Sequence, residues 1–277
     1  MERSYRVETR YATAPDQVPG MTTEALRRRF LAEELFAPGQ ARLLYSHEDR
    51  MVIGGVAAGD APVELPCPAE LRAEHFLQRR ELGVVNVGEA SGTVTVDGTK
   101  HELGARECLY VGRGAREVSF LGGDFYLVST PAHTEHPTVR VGLADAEPVR
   151  LGSQEGSNDR TIYKFIHAAG IRSCQLVLGV TVLEPGSMWN TMPCHTHERR
   201  TEAYFYFGLP AGHRVVHLMG RPDETRNIIV ADRQAVISPP WSVHCGFGTA
   251  AYAFVWAMGG ENQAYDDVEQ VAIGEMR

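Results

Sequence analysis

The run Pro193-Cys194-His195-Thr196-His197-Glu198-Arg199-Arg200-Thr201-Glu202 carries two imidazoles two positions apart and a carboxylate five residues beyond the second. On an extended strand, side chains two apart share a face, so His195 and His197 point the same way and can pinch one ion. A turn through 198–201 would return the chain and add Glu202 from the adjacent strand. A fourth donor, His244, follows the rigid turn Ser238-Pro239-Pro240-Trp241. Three imidazoles and one carboxylate suit a borderline divalent ion such as zinc, iron, manganese or nickel, and softness alone does not choose among them. Structural zinc sites are usually closed and rich in thiolate, whereas a histidine and carboxylate set inside a barrel can keep a position open for water or substrate. With 11 histidines in the chain, one HxH pair is unremarkable by itself. The carboxylate, the turn-borne histidine and the β-rich surroundings single this pair out. Cys194 faces the other side of the strand and is expected to pack.

These donors need a frame. Leu26, Phe30, Leu31 and Leu35 at helical spacing behind a Thr cap predict one helix over 22–36, packed on a sheet. From Leu82 onward the helical period fades into short β-branched or aromatic runs bounded by Gly, Pro, Asp and Asn, which predicts an all-β sandwich or barrel with few short helices. The segment 133–158, rich in Pro, Glu, Gly and Ser, reads as a connector between two similar halves. Residues 79–88 lie without gaps on 199–208, a shift of 120, and 106–120 lie on 233–247, a shift of 127. The expected organisation is two β-barrels, 1–145 with the N-terminal helix and 146–277 with the metal site. Carried through the repeat, the donor positions fall on His75, Leu77, Leu82 and Glu117 in the first half. Leucine binds no metal, so one ion per chain is expected.

At 277 residues the chain can bury a core without disulfides, and its 43% hydrophobic and 22% charged content is that of a globular protein. A net charge of −8 with no Lys/Arg runs argues against nucleic acid as a partner. The most apolar stretch, 174–183, falls far short of the roughly 20 residues of a membrane helix, and residues 1–4 lack a signal-peptide core. Five cysteines, an odd number with no CxxC, argue for a reducing, cytoplasmic setting.

The donor pattern resembles the cupin superfamily, whose first motif contains HxH(x)3–4E and whose second contains PxG(x)2H, with Trp241 here in place of the second-motif glycine. Almost the whole chain is similar to the 5-keto-4-deoxyuronate isomerase family. The likeness is carried by Ser173-Cys174-Gln175-Leu176, the run from Met188 to Arg200, Tyr204-Phe205-Tyr206-Phe207, Ala235-Val236-Ile237-Ser238-Pro239 and Gly260-Glu261-Asn262-Gln263. Further likeness lies in Tyr45-Ser46-His47 and Arg79-Arg80-Glu81-Leu82-Gly83. The resemblance implies a bicupin with one zinc ion held by His195, His197, Glu202 and His244, and a homohexamer. It also implies an aldose-ketose isomerase that converts 5-dehydro-4-deoxy-D-glucuronate to 3-deoxy-D-glycero-2,5-hexodiulosonate in pectin breakdown.

Such a reaction needs a polarised carbonyl and a proton carrier between two carbons. Strand alternation puts Tyr204 and Tyr206 on the face of Glu202, and Lys164 lies in a segment that resembles the family, so any of the three could carry the proton or bind the substrate carboxylate. Arg199 and Arg200 could pair with that carboxylate or sit in a solvated turn, and His217 is expected in the core or behind the ligands. Competing readings are a related isomerase of 5-deoxyglucuronate or tagaturonate, an iron cupin dioxygenase, and a bicupin storage protein. The complete donor set counts against the last.

Overall fold

The β-branched runs pair into sheets that repeat along the chain. The computed structural model describes residues 5–277. In the first half a seven-stranded sheet runs in the order Tyr5–Arg10, Ala41–Ser46, Val52–Ala58, Gly123–Pro131, Arg80–Asn86, Cys108–Val111, Val139–Val141. A four-stranded sheet, Val63–Glu64, Val118–Leu121, Gly92–Val96, Thr99–Leu103, closes the barrel over it. The second half repeats the pattern as Val149–Leu151, Arg160–Ile166, Val177–Leu183, Ala253–Gly260, Arg200–Phe207, Gln234–Ser238, Leu31–Ala32, with Trp189–Asn190, Cys245–Gly248, Val215–Arg221, Glu224–Val230 opposite. The fold is an all-β bicupin. Strands Arg80–Asn86 and Arg200–Phe207 occupy the same place in the two large sheets, as the shift of 120 requires.

The helix is shorter than its periodicity suggests. It spans Thr23–Phe30, capped where the Thr22 hydroxyl accepts from the Ala25 amide at 3.2 Å. Leu31–Ala32 then leaves the helix and pairs with Val236 and Ala235, so β-pairing overrides the apolar spacing that runs on to Leu35. Leu26 and Phe30 bury against Val215, Met219, Ile228 and Val230. Residues 23–32 therefore pack on the second barrel, although in the chain they lie between the first two strands of the first.

One apolar cluster fills each barrel, and a third lies between the two large sheets. There Tyr126 and Phe205 stack at 4.2 Å between centroids, an offset pair worth about 0.5–1.5 kcal/mol beyond its buried area. The sheets approach closely enough that a Cβ on Gly83 would lie 2.8 Å from Leu178. Polar bonds cross the same boundary. The buried Glu81 carboxylate accepts from the amides of Cys174, Gln175 and Leu176 at 2.6, 2.8 and 2.9 Å, and from Tyr110 and Thr130 at 2.8 and 3.0 Å. In the other direction, Asp49 of the first half accepts from the Thr201 amide at 2.8 Å.

Removing a buried acceptor strands its donors at about 1–3 kcal/mol each. Glu81→Ala is expected to lower the urea-unfolding free energy by at least about 3 kcal/mol. A loss below about 1 kcal/mol would assign the cohesion of the halves to the apolar contact alone.

Candidate metal centre

Four elements bring the donors together. His195 lies on the short strand His195–Thr196, which pairs with Glu269–Gln270. That strand ends before His197, so the expected strand alternation across the HxH pair is not what aligns the rings. A turn does so instead: the Arg200 amide donates to the His197 carbonyl at 3.0 Å and folds His197 back over the start of Arg200–Phe207. Glu202 projects from that central strand, held between Ser238 and Met258 on its two neighbours. His244 immediately precedes Cys245–Gly248, after a turn closed by the Ser242 amide on the Pro239 carbonyl at 2.9 Å.

The donor atoms of His195, His197, Glu202 and His244 lie within 4.8 Å of one another. Glu202 Oε2 is 3.0 Å from His197 Nε2 and 2.7 Å from His244 Nε2, and the Nε2 atoms of His195 and His244 are 3.0 Å apart. The far nitrogens fix the tautomers. Nδ1 of His197 donates to the Arg200 carbonyl at 2.7 Å and Nδ1 of His244 to the Ser242 carbonyl at 3.2 Å. A carbonyl only accepts, so each neutral ring carries its hydrogen on Nδ1 and turns an Nε2 lone pair inward. Two lone pairs and a carboxylate oxygen then face one another with no hydrogen between them, an arrangement that demands positive charge at its centre. The donor set thus fits a divalent ion of borderline softness.

The local titration agrees. Burial alone would raise Glu202, yet His244 and His197 hold it well below the usual carboxylate range. Burial and the neighbouring His244 push His195 down to about 3, so it is a neutral imidazole at ordinary pH. Burial works against a charge on His197, but the Glu202 carboxylate beside it outweighs burial and raises it. His197, Glu202 and His244 are buried, while His195 is half-buried and forms the open side.

That side faces a cavity of about 360 Å³ whose wall includes Arg160, Thr191, Tyr204, Trp256, Tyr265 and Asp266. The structure brings Tyr204 to this cavity, its hydroxyl 3.0 Å from Thr191 Oγ1. Tyr206, one repeat further along the strand, points deeper, its hydroxyl 2.8 Å from His217 Nδ1. Lys164 is not in the wall. A bulge between Lys164 and Ile166 shifts the strand register there, and its Nζ sits 5.1 Å over the Tyr265 ring. His217 is fully buried and pushed down to about 3 by burial and His244. Cys194 packs with Val243, Cys245 and Val271 on the far side.

A sequence profile of the KduI/IolB family matches residues 30–273. The chain belongs to the KduI/IolB family. It is 54% identical over 280 residues to the 4-deoxy-L-threo-5-hexosulose-uronate ketol-isomerase of Kineococcus radiotolerans, covering 98% of this chain and 100% of that one. The enzyme of the same name from Halalkalibacterium halodurans is 50% identical over 277 residues, with 98% and 100% covered. Among solved structures, an IolB-like protein from Salmonella typhimurium superposes with a TM-score of 0.65 at 13% identity, covering 80% of this chain and 86% of that one. The oxalate decarboxylase of Lactobacillus farciminis superposes at 0.53, with 12% identity and 81% and 79% covered. Both share the fold.

In this KduI/IolB chain the wall residues Arg160, Tyr265 and Asp266 escape a reading of the sequence, because two distant segments deliver them. Arg199 supplies the hinge for one: it forks onto Asp267 at 2.8 and 2.9 Å and also meets Glu269, which pins 265–270 across the cavity mouth. Arg200 is buried and donates to the carbonyls of Ala264 and Asp267 at 2.5 and 2.7 Å. Neither arginine lines the cavity. Among the described residues the first half holds no comparable donor group, and its His75 ring nitrogens are buried without partners.

Two variants separate the halves. His197→Ala is expected to lose bound metal through dialysis, measured by inductively coupled plasma mass spectrometry, while His75→Ala keeps the wild-type content. Equal loss in both would overturn a single centre formed by the second barrel.

Proposed function

We propose that this chain is a zinc-dependent ketol-isomerase acting on 4-deoxy-L-threo-5-hexosulose-uronate in pectin breakdown. It would hold one ion per subunit through His195, His197, Glu202 and His244. The observation that carries the reading is the three-imidazole, one-carboxylate group opening on a cavity whose only guanidinium among the described residues is Arg160. The names of the relatives with which it shares about half its residues support the substrate.

Isomerisation moves one hydrogen from C2 to C1 and one from the C2 oxygen to the C1 oxygen. A zinc ion at the four donors would supply Lewis acidity to the carbonyl, worth several kcal/mol of charge stabilisation. Arg160 donates to the Asn158 carbonyl at 2.8 Å, which orients its guanidinium for the substrate carboxylate at the opposite end of the cavity. Apart from Glu202, Asp266 is the only carboxylate in the wall among the described residues, and it takes the C2 proton and returns it to C1. Burial, and next the charge of Glu202, raise Tyr204 well above the usual phenol, so it stays protonated and relays hydrogen between the two oxygens with Thr191. Lys164 and Tyr206 then act at one remove, by holding Tyr265 and His217. Phe254, Trp256 and Met258 keep water from the reacting carbons.

The same reading includes a cytoplasmic homohexamer. Exposed Val149 and Leu151 on an edge strand of the second large sheet support a covered edge. Light scattering of the purified protein reads the assembly directly.

The substrate, made by cleaving polygalacturonate to unsaturated monomers, is added to metal-replete and chelator-treated protein, and the C1 aldehyde is followed by NMR. Its loss only with metal present is expected. Arg160→Ala should raise KM about 10- to 100-fold with kcat nearly kept, and Tyr204→Phe should lower kcat by about 100-fold or more. An untouched aldehyde with metal-replete protein would sink the proposal and move the search to other keto sugar acids.

A further inference from the structure

Through the repeat, Arg79 and Arg80 stand where Arg199 and Arg200 stand in the second half. Arg80 and Arg200 both donate to backbone carbonyls, and the difference in charge lies at Arg79 and Arg199. Arg199 is neutralised by Asp267 and Glu269. Arg79 and Arg80 meet only neutral oxygens. Arg79 donates to the carbonyls of Leu71 and Arg72 at 3.0 and 2.8 Å. Arg80, only 6% exposed, donates to the carbonyls of Arg50 and Ser129 at 2.6 and 2.8 Å and to the Ser129 hydroxyl at 3.0 Å. Arg113 joins them, donating to the carbonyls of Gln78 and His133 at 3.2 and 2.9 Å. Glu81, the nearest acid in the chain, spends its oxygens on Tyr110, Thr130 and the 174–176 amides.

Arg50, Arg79, Arg80 and Arg113 all line one cavity of about 440 Å³, together with Tyr45 and a single acid, Glu70. Among the described residues none of the four arginines forms a salt bridge with a carboxylate. A chain with 35 acidic and 27 basic residues has acids to spare, yet this wall has four guanidinium groups against one carboxylate. Arg80 is buried without a counter-ion, Arg113 is half-buried, and Arg50 and Arg79 stand exposed at the mouth, so the cost of an unpaired cation falls chiefly on Arg80 and is relieved when an anion enters. Burial pulls Arg80 down to about 10, which leaves it charged at neutral pH.

We propose that this first-half cavity is a binding site, separate from the metal centre, for a small organic anion bearing carboxylate or phosphate groups. The planar guanidinium fork matches both headgroups through paired N–H donors. Carbonyl bonds from Arg79, Arg80 and Arg113 hold three of the four forks in place before any anion arrives. Arg50 has no side-chain bond among the described residues and is free to close on the ligand.

The test is calorimetric titration of the metal-replete protein with succinate and, separately, with inorganic phosphate. One equivalent of at least one probe should bind, more weakly as salt is raised. Arg50→Gln, which breaks no bond seen in the fold, should weaken that binding about tenfold, and Glu70→Gln should tighten it about threefold. His197→Ala should bind as the wild type does, which separates this cavity from the metal centre. Preference for succinate would identify a carboxylate ligand and preference for phosphate a phosphorylated one. The proposal is overturned by no binding of either probe up to about 10 mM, by binding indifferent to both Arg50→Gln and Glu70→Gln, or by binding lost in His197→Ala.

Discussion

Two imidazole lone pairs, each within hydrogen-bond distance of one carboxylate oxygen, repel it unless a positive charge sits among them. Much of the second barrel exists to hold that crowding in place. Backbone carbonyls of Arg200 and Ser242 lock the outer nitrogens of His197 and His244, so neither ring can turn its lone pair away. Glu202 is fixed by a strand paired on both sides, whose register leaves no freedom to slide. Such rigidity is expensive in conformational entropy, and the apolar packing of Tyr204, Phe254, Trp256 and Met258 around the centre offsets it.

The first barrel contributes to this centre without touching its donors. Asp49 accepts from the Thr201 amide, one residue from Glu202, and Glu81 gathers three successive amides just before strand Val177–Leu183. Buried carboxylates are tolerated where every oxygen is spoken for, and Glu81 meets that condition with five donors. Residues 31–32 add a second tie, because they leave the N-terminal segment to become the edge strand of the second sheet. The two halves are thus interlocked by exchange of chain as well as by contact.

The donors of the centre were legible in the sequence because three of them stand within eight residues and the fourth follows a proline turn. Residue type and spacing were enough to group them, and strand alternation put Tyr204 on the right face. The same alternation was too coarse for Tyr206, which shares that face but meets His217 deeper in the barrel. Lys164, named from the family likeness, lies outside the wall, its Nζ over the Tyr265 ring. Arg160 and Asp266 were invisible for another reason. Their place in the wall depends on tertiary contacts, in one case the Arg199–Asp267 fork, and a pair 68 positions apart leaves no periodic trace. The helix is shorter than its apolar spacing because Leu31 and Leu35 keep that spacing while the backbone leaves it. Burial on a sheet edge and burial on a helix face ask for the same leucines.

The comparison of the halves explains why, among the described residues, only one of them carries a donor group suited to a metal. At the positions of His197 and Glu202 the first barrel has Leu77 and Leu82, buried with Phe76, Val84, Leu109 and Val111 in a continuous apolar core. A carboxylate placed there would lose its hydration with no imidazole to answer it, so the site could not be restored by one substitution. Filling the barrel gives the first half packing that the second gives up to its cavity. What the first half keeps open lies at its rim, where Arg79 and Arg80 retain the places of Arg199 and Arg200 but lack the acidic segment that closes over them. One scaffold has therefore been charged in two senses: donors that suit a cation inside one barrel, and at the mouth of the other four guanidinium groups beside a single carboxylate.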